Sequence, residues 1–210
     1  AAILTGTLTL YMIPGMWGAP LKIINAFPPP MQYSESPYGV GNSQGGNANA
    51  ISAHEEEGQH LGPQGILVFH DYDMGMAHAK KINKPVVLDF TGHACVNCRK
   101  MEEQVWSAAH VKNMLANDVV LISLYVDERI DLPKEDQYET TMAGKTKKVK
   151  TTGDKWMVLQ ANSYGTNSQP YYVFLNHDKE TLVENANYQD YGTVDLFSDW
   201  LNRGLTEFKK

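Results

Sequence analysis

From residue 65 onward, apolar and polar positions fall into short blocks of two kinds that alternate along the chain. GILVFH (65–70), PVVLDFT (85–91) and VVLISLYV (119–126) are short, nearly unbroken apolar runs rich in β-branched residues. That pattern belongs to strands covered on both faces, as in parallel or mixed sheets. Between them, DMGMAHAKKI (73–82) carries helix formers and stops before Asn83 and Pro85, CVNCRKMEEQVW (95–106) has helical spacing, and Ser107 is placed to cap a further helix over AAHVKNMLAN (108–117). KWMVLQAN (155–162) predicts another helix, and QPYYVFLNHDKETLVENA (169–186) predicts two strands joined by a polar turn. In TVDLFSDWLNRGL (193–205), Val194, Phe197, Trp200 and Leu201 recur at helical spacing, which predicts an amphipathic closing helix. Strands alternating with helices and ending in a hairpin and a helix predict an α/β domain of three layers, with a central mixed sheet flanked by helices.

Residues 127–154 interrupt this alternation. Mixed charge, Pro133 and AGKTKKVKTTGD mark an insertion, with a hairpin expected around Gly144 and its lysines, 145 to 150, on a solvated face.

The N-terminal third reads differently. AAILTGTLTLYMIPGMWGAPL opens with an apolar run broken at Pro14-Gly15, too short to span a bilayer by itself, since spanning takes roughly 20 apolar residues. Two readings stand: the end of a transmembrane helix and its exit over residues 1–27, with Trp17 near the interface, or a buried core helix. Residues 28–64, with FPPP, YGVGNSQGGNANA and HEEEG, cannot bury enough apolar surface to offset their ordering entropy and predict a flexible linker. No Lys or Arg occurs between Lys22 and Lys80. A stretch so poor in positive charge after a membrane helix belongs on the non-cytoplasmic side. The organisation expected is therefore a membrane exit (1–27), a linker (28–64) and a folded domain (65–210) that carries the insertion.

Composition changes this picture little. The 210 residues are 42% hydrophobic with a formal charge of −6, enough for one sizeable core and without the basic footprint that nucleic-acid binding requires. The cysteine count matters more. The chain has two, Cys95 and Cys98, in TGHACVNCRKMEE. Two thiols cannot staple a small secreted fold, so they read as one functional pair.

Placed at the start of a helix that follows a buried strand, Cys95 faces unpaired backbone amides at the positive end of the helix dipole, which favours its thiolate. Cys98, three residues on, lies on nearly the same face and is placed to resolve a mixed disulfide formed by Cys95. Asp89, inside the apolar VVLDF, reads as buried beneath the pair, where burial raises a carboxyl pKa and lets it exchange protons with the thiols, or else as a strand-end residue with a solvated side chain. Glu102 follows Cys98 by one turn and reads either as a second proton acceptor or as part of a wet helix face. His93 is expected at the exposed rim of the site; with the two cysteines it also offers three ligands of a zinc or copper carrier, a reading that no second CxxC or His pair completes. Pro170 begins a strand after a polar loop, either as an ordinary trans proline or in a cis bond that presents the Gln169 backbone to an extended substrate.

KPVVLDFTGHACVNCRKMEE, with Asp89 six residues before the first cysteine and Glu102 four after the second, together with QPYYVFLN downstream and YMIPGMWGAPLKIINAF near the start, resembles the C-terminal thioredoxin-like domain of the DsbD family of thiol:disulfide interchange proteins, which act in cytochrome c biogenesis. The resemblance runs along nearly the whole chain. It implies a thioredoxin fold and a relay in which electrons pass through a membrane electron-conducting domain to a domain in the periplasm, anchored at the inner membrane, that reduces periplasmic disulfide-containing proteins. The residues matching Cys95 and Cys98 would carry the exchange without any further cofactor, those matching Asp89 and Glu102 would adjust the thiols, and the proline matching Pro170 would be cis. His93, Ala94, Gln169 and Pro170 would then line the partner-binding rim. Ala94 stands where that family usually has Trp, which opens the rim, and the insertion at 127–154 is long. Oxidase or isomerase activity stays open beside reduction, because reduction potential and not fold sets the direction of exchange.

Overall fold

The computed structural model describes residues 5–7, 9, 10 and 57–210. The described opening residues are helical, with the Thr9 hydroxyl donating to the Thr5 carbonyl at 2.9 Å. Almost all of the expected membrane exit (1–27) and of the linker (28–64) up to residue 56 lies outside the described residues. Among the described residues no helix is long and apolar enough to cross a membrane.

The buried runs form the strands they predict. β1 (Gln59–Leu61), β2 (Leu67–Phe69), α1 (Tyr72–Ile82), β3 (Val86–Thr91), α2 (Val96–Lys100), α3 (Ala109–Asn117) and β4 (Val120–Tyr125) come first. β5 (Tyr138–Met142), β6 (Lys145–Val149), α4 (Thr152–Tyr164), β7 (Tyr171–Leu175), β8 (Ala186–Asn187), α5 (Tyr188–Tyr191) and α6 (Val194–Phe208) complete the order. Six of these strands make one sheet in the order β1-β2-β4-β3-β7-β8, with β2, β4 and β3 parallel and β1, β7 and β8 antiparallel to their neighbours. β3 is buried at every position, as is β4.

Alternation along the strands divides the core into two. Val87, Tyr172 and Phe174 pack with Val111 and Leu115 of α3 and Phe197, Trp200 and Leu201 of α6. Val86, Leu88 and Phe90 pack on the opposite face with Met76 and Ala79 of α1 and Trp156 of α4. The result is the expected mixed sheet between two helical layers. Asp89 alternates with Leu88 and Phe90, which places it on the Val87 face, the side that the helix after the cysteines covers.

Several expectations need correction. β1 lies within the stretch read as linker: His60 and Leu61 pair with Val68 and Leu67, so ordered structure begins before residue 65. A three-residue edge strand is too short to show apolar alternation. The helix after the cysteines is not uniform, since an α-helical turn passes into a π-helical one over Met101–Val105, marked by the Trp106 N–H donating to the Met101 carbonyl. Ser107 does not cap α3; Ala108 occupies that position without a side-chain bond, and the Ser107 hydroxyl donates to the Glu103 carbonyl at 2.7 Å. The second strand expected within 169–186 shrinks to a single bridge, Leu175 to Thr181, and the short β8.

The insertion contains the hairpin predicted around Gly144. β5 and β6 pair from Tyr138–Val149 to Met142–Lys145, and both loop residues, Ala143 and Gly144, take positive φ, as a two-residue turn matched to strand twist requires. Lys147 and Lys148 form ion pairs with Asp154 and Glu139 on this largely exposed ribbon.

Candidate active site

Cys95 is the N-cap of α2, and its sulfur accepts the Cys98 backbone N–H at 3.2 Å. The two cysteines are joined in a disulfide, with Cα atoms 5.3 Å apart. The pair is asymmetric: Cys95 is half-buried and lines a surface groove, whereas Cys98 is 1% exposed. Solvent therefore reaches the first sulfur and not the second.

The groove, about 350 Å³, is lined by Ala94, Val96, Asn97, Val126, Asp127 and Gln169 as well as Cys95. The Gln169-Pro170 bond is cis, and Pro170 is buried. The Gln169 side chain donates to Gln160 Oε1 at 2.9 Å and to the Asn167 carbonyl at 3.0 Å. Ala94 and Gln169, both expected at the rim, therefore share one groove with Cys95.

A charged cluster lies inside the core, on the side of the sheet that the cysteine helix covers. Asp89 is 2% exposed and accepts the Ser123 hydroxyl at 3.0 Å through Oδ2. Burial pushes its pKa up to about 7, against the opposing pull of Ser123 and Arg99. Glu102 is 6% exposed and so is not part of a wet helix face. Burial raises its pKa too and outweighs the Arg99 guanidinium. Arg99, 5% exposed, donates to Glu102 Oε1 at 2.6 Å and to Thr91 Oγ1 at 3.4 Å. Tyr172, paired with Asp89 across β7 and β3, is buried beside these groups and its hydroxyl is held neutral, with a pKa pushed well above the ordinary phenol range by burial.

His93 is not the exposed residue expected. It is half-buried, stacked on Tyr125 with ring centroids 4.3 Å apart, and its Nε2 lies 3.0 Å from Glu128 Oε2. Among the described residues no group of three or more His, Cys, Asp or Glu side chains is arranged to hold a metal ion. The three ligands of the carrier reading are engaged elsewhere, the sulfurs with each other and the imidazole with Glu128.

Sequence reasoning missed Arg99, Asp127 and Glu128. The Asp127 carboxylate accepts the backbone N–H groups of His93 at 2.9 Å and Ala94 at 3.0 Å, holding the loop before Cys95. The insertion is fastened here too: a Cβ on Gly153 would lie 2.5 Å from the Glu128 carbonyl oxygen, so only glycine permits α4 to start this close to the loop. The available signal was weak. Parallel pairing of Thr91 with Tyr125 brings the loops after β3 and β4 together, and an acidic pair right after a buried strand marks such a loop.

A family model described as a thioredoxin-like domain matches residues 72–192, more than half of the chain. No curated protein matches the chain significantly. Among solved structures the chain is similar to one named "DsbH Oxidoreductase", at 18% identity and a TM-score of 0.48, over 77% of this chain and 94% of that one. It is also similar to a thioredoxin from Thermus thermophilus, at 20% identity and a TM-score of 0.44, over 65% of this chain and 85% of that one.

Proposed function

The chain belongs to the thioredoxin-like domain family, and we propose that it works in the periplasm as a dithiol reductase, relaying electrons from a membrane domain to disulfide-containing protein partners. The coarser conclusion, thiol-disulfide exchange, follows from the fold and the Cys95–Cys98 disulfide at a helix start. The reducing direction rests on a single observation: two acids, Asp89 and Glu102, are buried on the side of the sheet that the cysteine helix covers.

The chemistry is two displacements. The Cys95 thiolate attacks one sulfur of the partner's disulfide, a mixed disulfide forms, and the partner's other sulfur leaves as thiolate and takes a proton from water. Cys98 then loses its proton to a buried carboxylate as its sulfur attacks Cys95, and the second partner sulfur departs and is protonated. Two electrons pass to the partner, and the cysteine pair ends as the disulfide, so the pair itself is the electron carrier.

Buried carboxylates support the reducing direction. A thiolate forming beside them meets negative potential, so the reduced pair gains little of the thiolate stabilisation that makes a strong disulfide donor oxidising. The expected site of action, anchored to the inner membrane and facing the periplasm, is supported by the apolar opening segment and the charge-poor stretch after it. The DsbD-like relay role is supported by Asp89 and Glu102 standing at that family's positions around the CxxC.

Insulin reduction tests the exchange. Reduced protein with a dithiol recycling system is expected to precipitate the insulin B chain, and Cys95→Ser to abolish this; equal activity of Cys95→Ser and the parent would contradict the proposal.

A further inference from the structure

Arg99 is a charged residue in the core, next in sequence to Cys98, and nothing in the exchange chemistry above uses it. An arginine cannot shed its charge to enter a core, so a buried one requires a compensating partner. Glu102 supplies that partner at 2.6 Å, and the same terminal nitrogen reaches Thr91 on β3. Its other nitrogens, Nε and Nη1, have no hydrogen-bond partner among the described residues, and neither has Asp89 Oδ1. The core therefore contains unused donors on Arg99 and an unused acceptor on Asp89. Burial makes such groups costly, and they persist at sites where a charge must be held for another purpose.

The count of charges points to that purpose. Facing this cluster are Asp89 from β3, Glu102 and, at its edge, Glu103 from the π-helical turn, and the neutral Tyr172 hydroxyl from β7. With Asp89 and Glu102 both ionised, Arg99 leaves one uncompensated buried negative charge. With one proton shared between them, the buried set is neutral, the state a low-dielectric core favours.

We propose that Arg99 is a positioning residue for thiol exchange: its buried guanidinium fixes one carboxylate and one shared proton in the Asp89–Glu102 pair, which keeps an acceptor ready for the proton of Cys98. Arg99 acts through these acids and touches no partner. When the Cys98 proton arrives the second acid is neutralised, and when the disulfide is reduced again the same proton returns to the sulfur. Without Arg99 both acids hold protons at neutral pH, and the acceptor is lost.

The proposal rests on thiol exchange and is indifferent to its direction. The test is thiolate absorbance at 240 nm, titrated on the reduced full chain, beside the pH profile of exchange with oxidised glutathione, for Arg99→Met, Arg99→Lys and the double variant Arg99→Met with Glu102→Gln. Arg99→Met is expected to move both midpoints up by about one pH unit or more, the scale of a single neighbouring charge. Arg99→Lys is expected to move them less than half as far, and the double variant, which removes both charges, to return toward the parent. Superimposable midpoints for Arg99→Met and the parent, with only stability lowered, would overturn the proposal and leave Arg99 a packing residue. If Arg99→Met does not fold, the double variant decides: a midpoint displaced as far as one missing charge predicts would overturn the pairing with Glu102. Absence of exchange in the parent would instead strike the proposed function, while the absorbance titration still reads Arg99.

Discussion

The Ser123 hydroxyl donates to Asp89 Oδ2 at 3.0 Å across the β4–β3 pairing, and this is the one hydrogen bond Asp89 accepts within the described core. A carboxylate so thinly solvated is held near the point of protonation at neutral pH.

That gives Asp89 a signature in stability against pH. Its folded pKa, about 7, lies above the unfolded value of 3.8, so the native state binds the proton more tightly. The stability this carries is complete below about pH 4 and lost as pH rises to about 7. At 1.36 kcal/mol per unit the whole span is on the order of 4 kcal/mol. Asp89→Asn, which still accepts from Ser123, is expected to be more stable than the parent at pH 8 and nearly equal to it at pH 4 in urea melts, with slower exchange. A stability gap independent of pH would contradict the titration assigned to Asp89.

The two cysteines are unequal, and their serine variants are expected to behave unequally. Cys98→Ser leaves the half-buried Cys95 able to attack and unable to be released, so mixed disulfides with partners or glutathione accumulate on it. Cys95→Ser, with only the buried thiol, forms few. Intact-protein mass spectrometry after brief exposure to oxidised glutathione reads the difference, and comparable adducts on both would reverse the assigned roles.

Asp127 holds the loop in front of the disulfide through the His93 and Ala94 amides. Asp127→Ala is expected to lower stability by about 1–2 kcal/mol, the scale of two hydrogen bonds to a partly solvated carboxylate, and to slow exchange by loosening the groove. Thermal melts and glutathione kinetics check it; unchanged kinetics would remove Asp127 from the site.

The packing of α6 tests how far fold and chemistry separate, since the Trp200 ring lies 6.3 Å, centroid to centroid, from that of Tyr172 beside the buried acids. Trp200, fully buried, packs against Phe197 and Phe174 and donates its indole N–H to the Glu184 carbonyl at 2.7 Å. Trp200→Ala is expected to cost about 3–5 kcal/mol with the reduction potential of the cysteine pair unchanged. A shifted potential would mean that α6 contributes to the site.

How much of this was legible follows from what each signal depends on. β3 with Asp89, and the CxxC that follows it, are local patterns: an apolar run, one acid, two thiols at helical spacing. Glu102 was ambiguous because RKMEE reads as a solvated face; only the way this helix lies on the sheet turns Arg99 and Glu102 inward. Asp127 and Glu128 reach the site through parallel pairing of β3 with β4, a contact between residues more than thirty apart that no short window contains. β1 was hidden for the opposite reason, since three edge residues, Gln59, His60 and Leu61, carry too little pattern to stand out from the sequence before them.

The central claim is that this cysteine pair is poised to reduce. Its equilibrium potential, measured against a glutathione or dithiothreitol series, is expected near the roughly −270 mV of thioredoxin; a value near the roughly −120 mV of a strong disulfide donor would contradict the account and make the protein an oxidant.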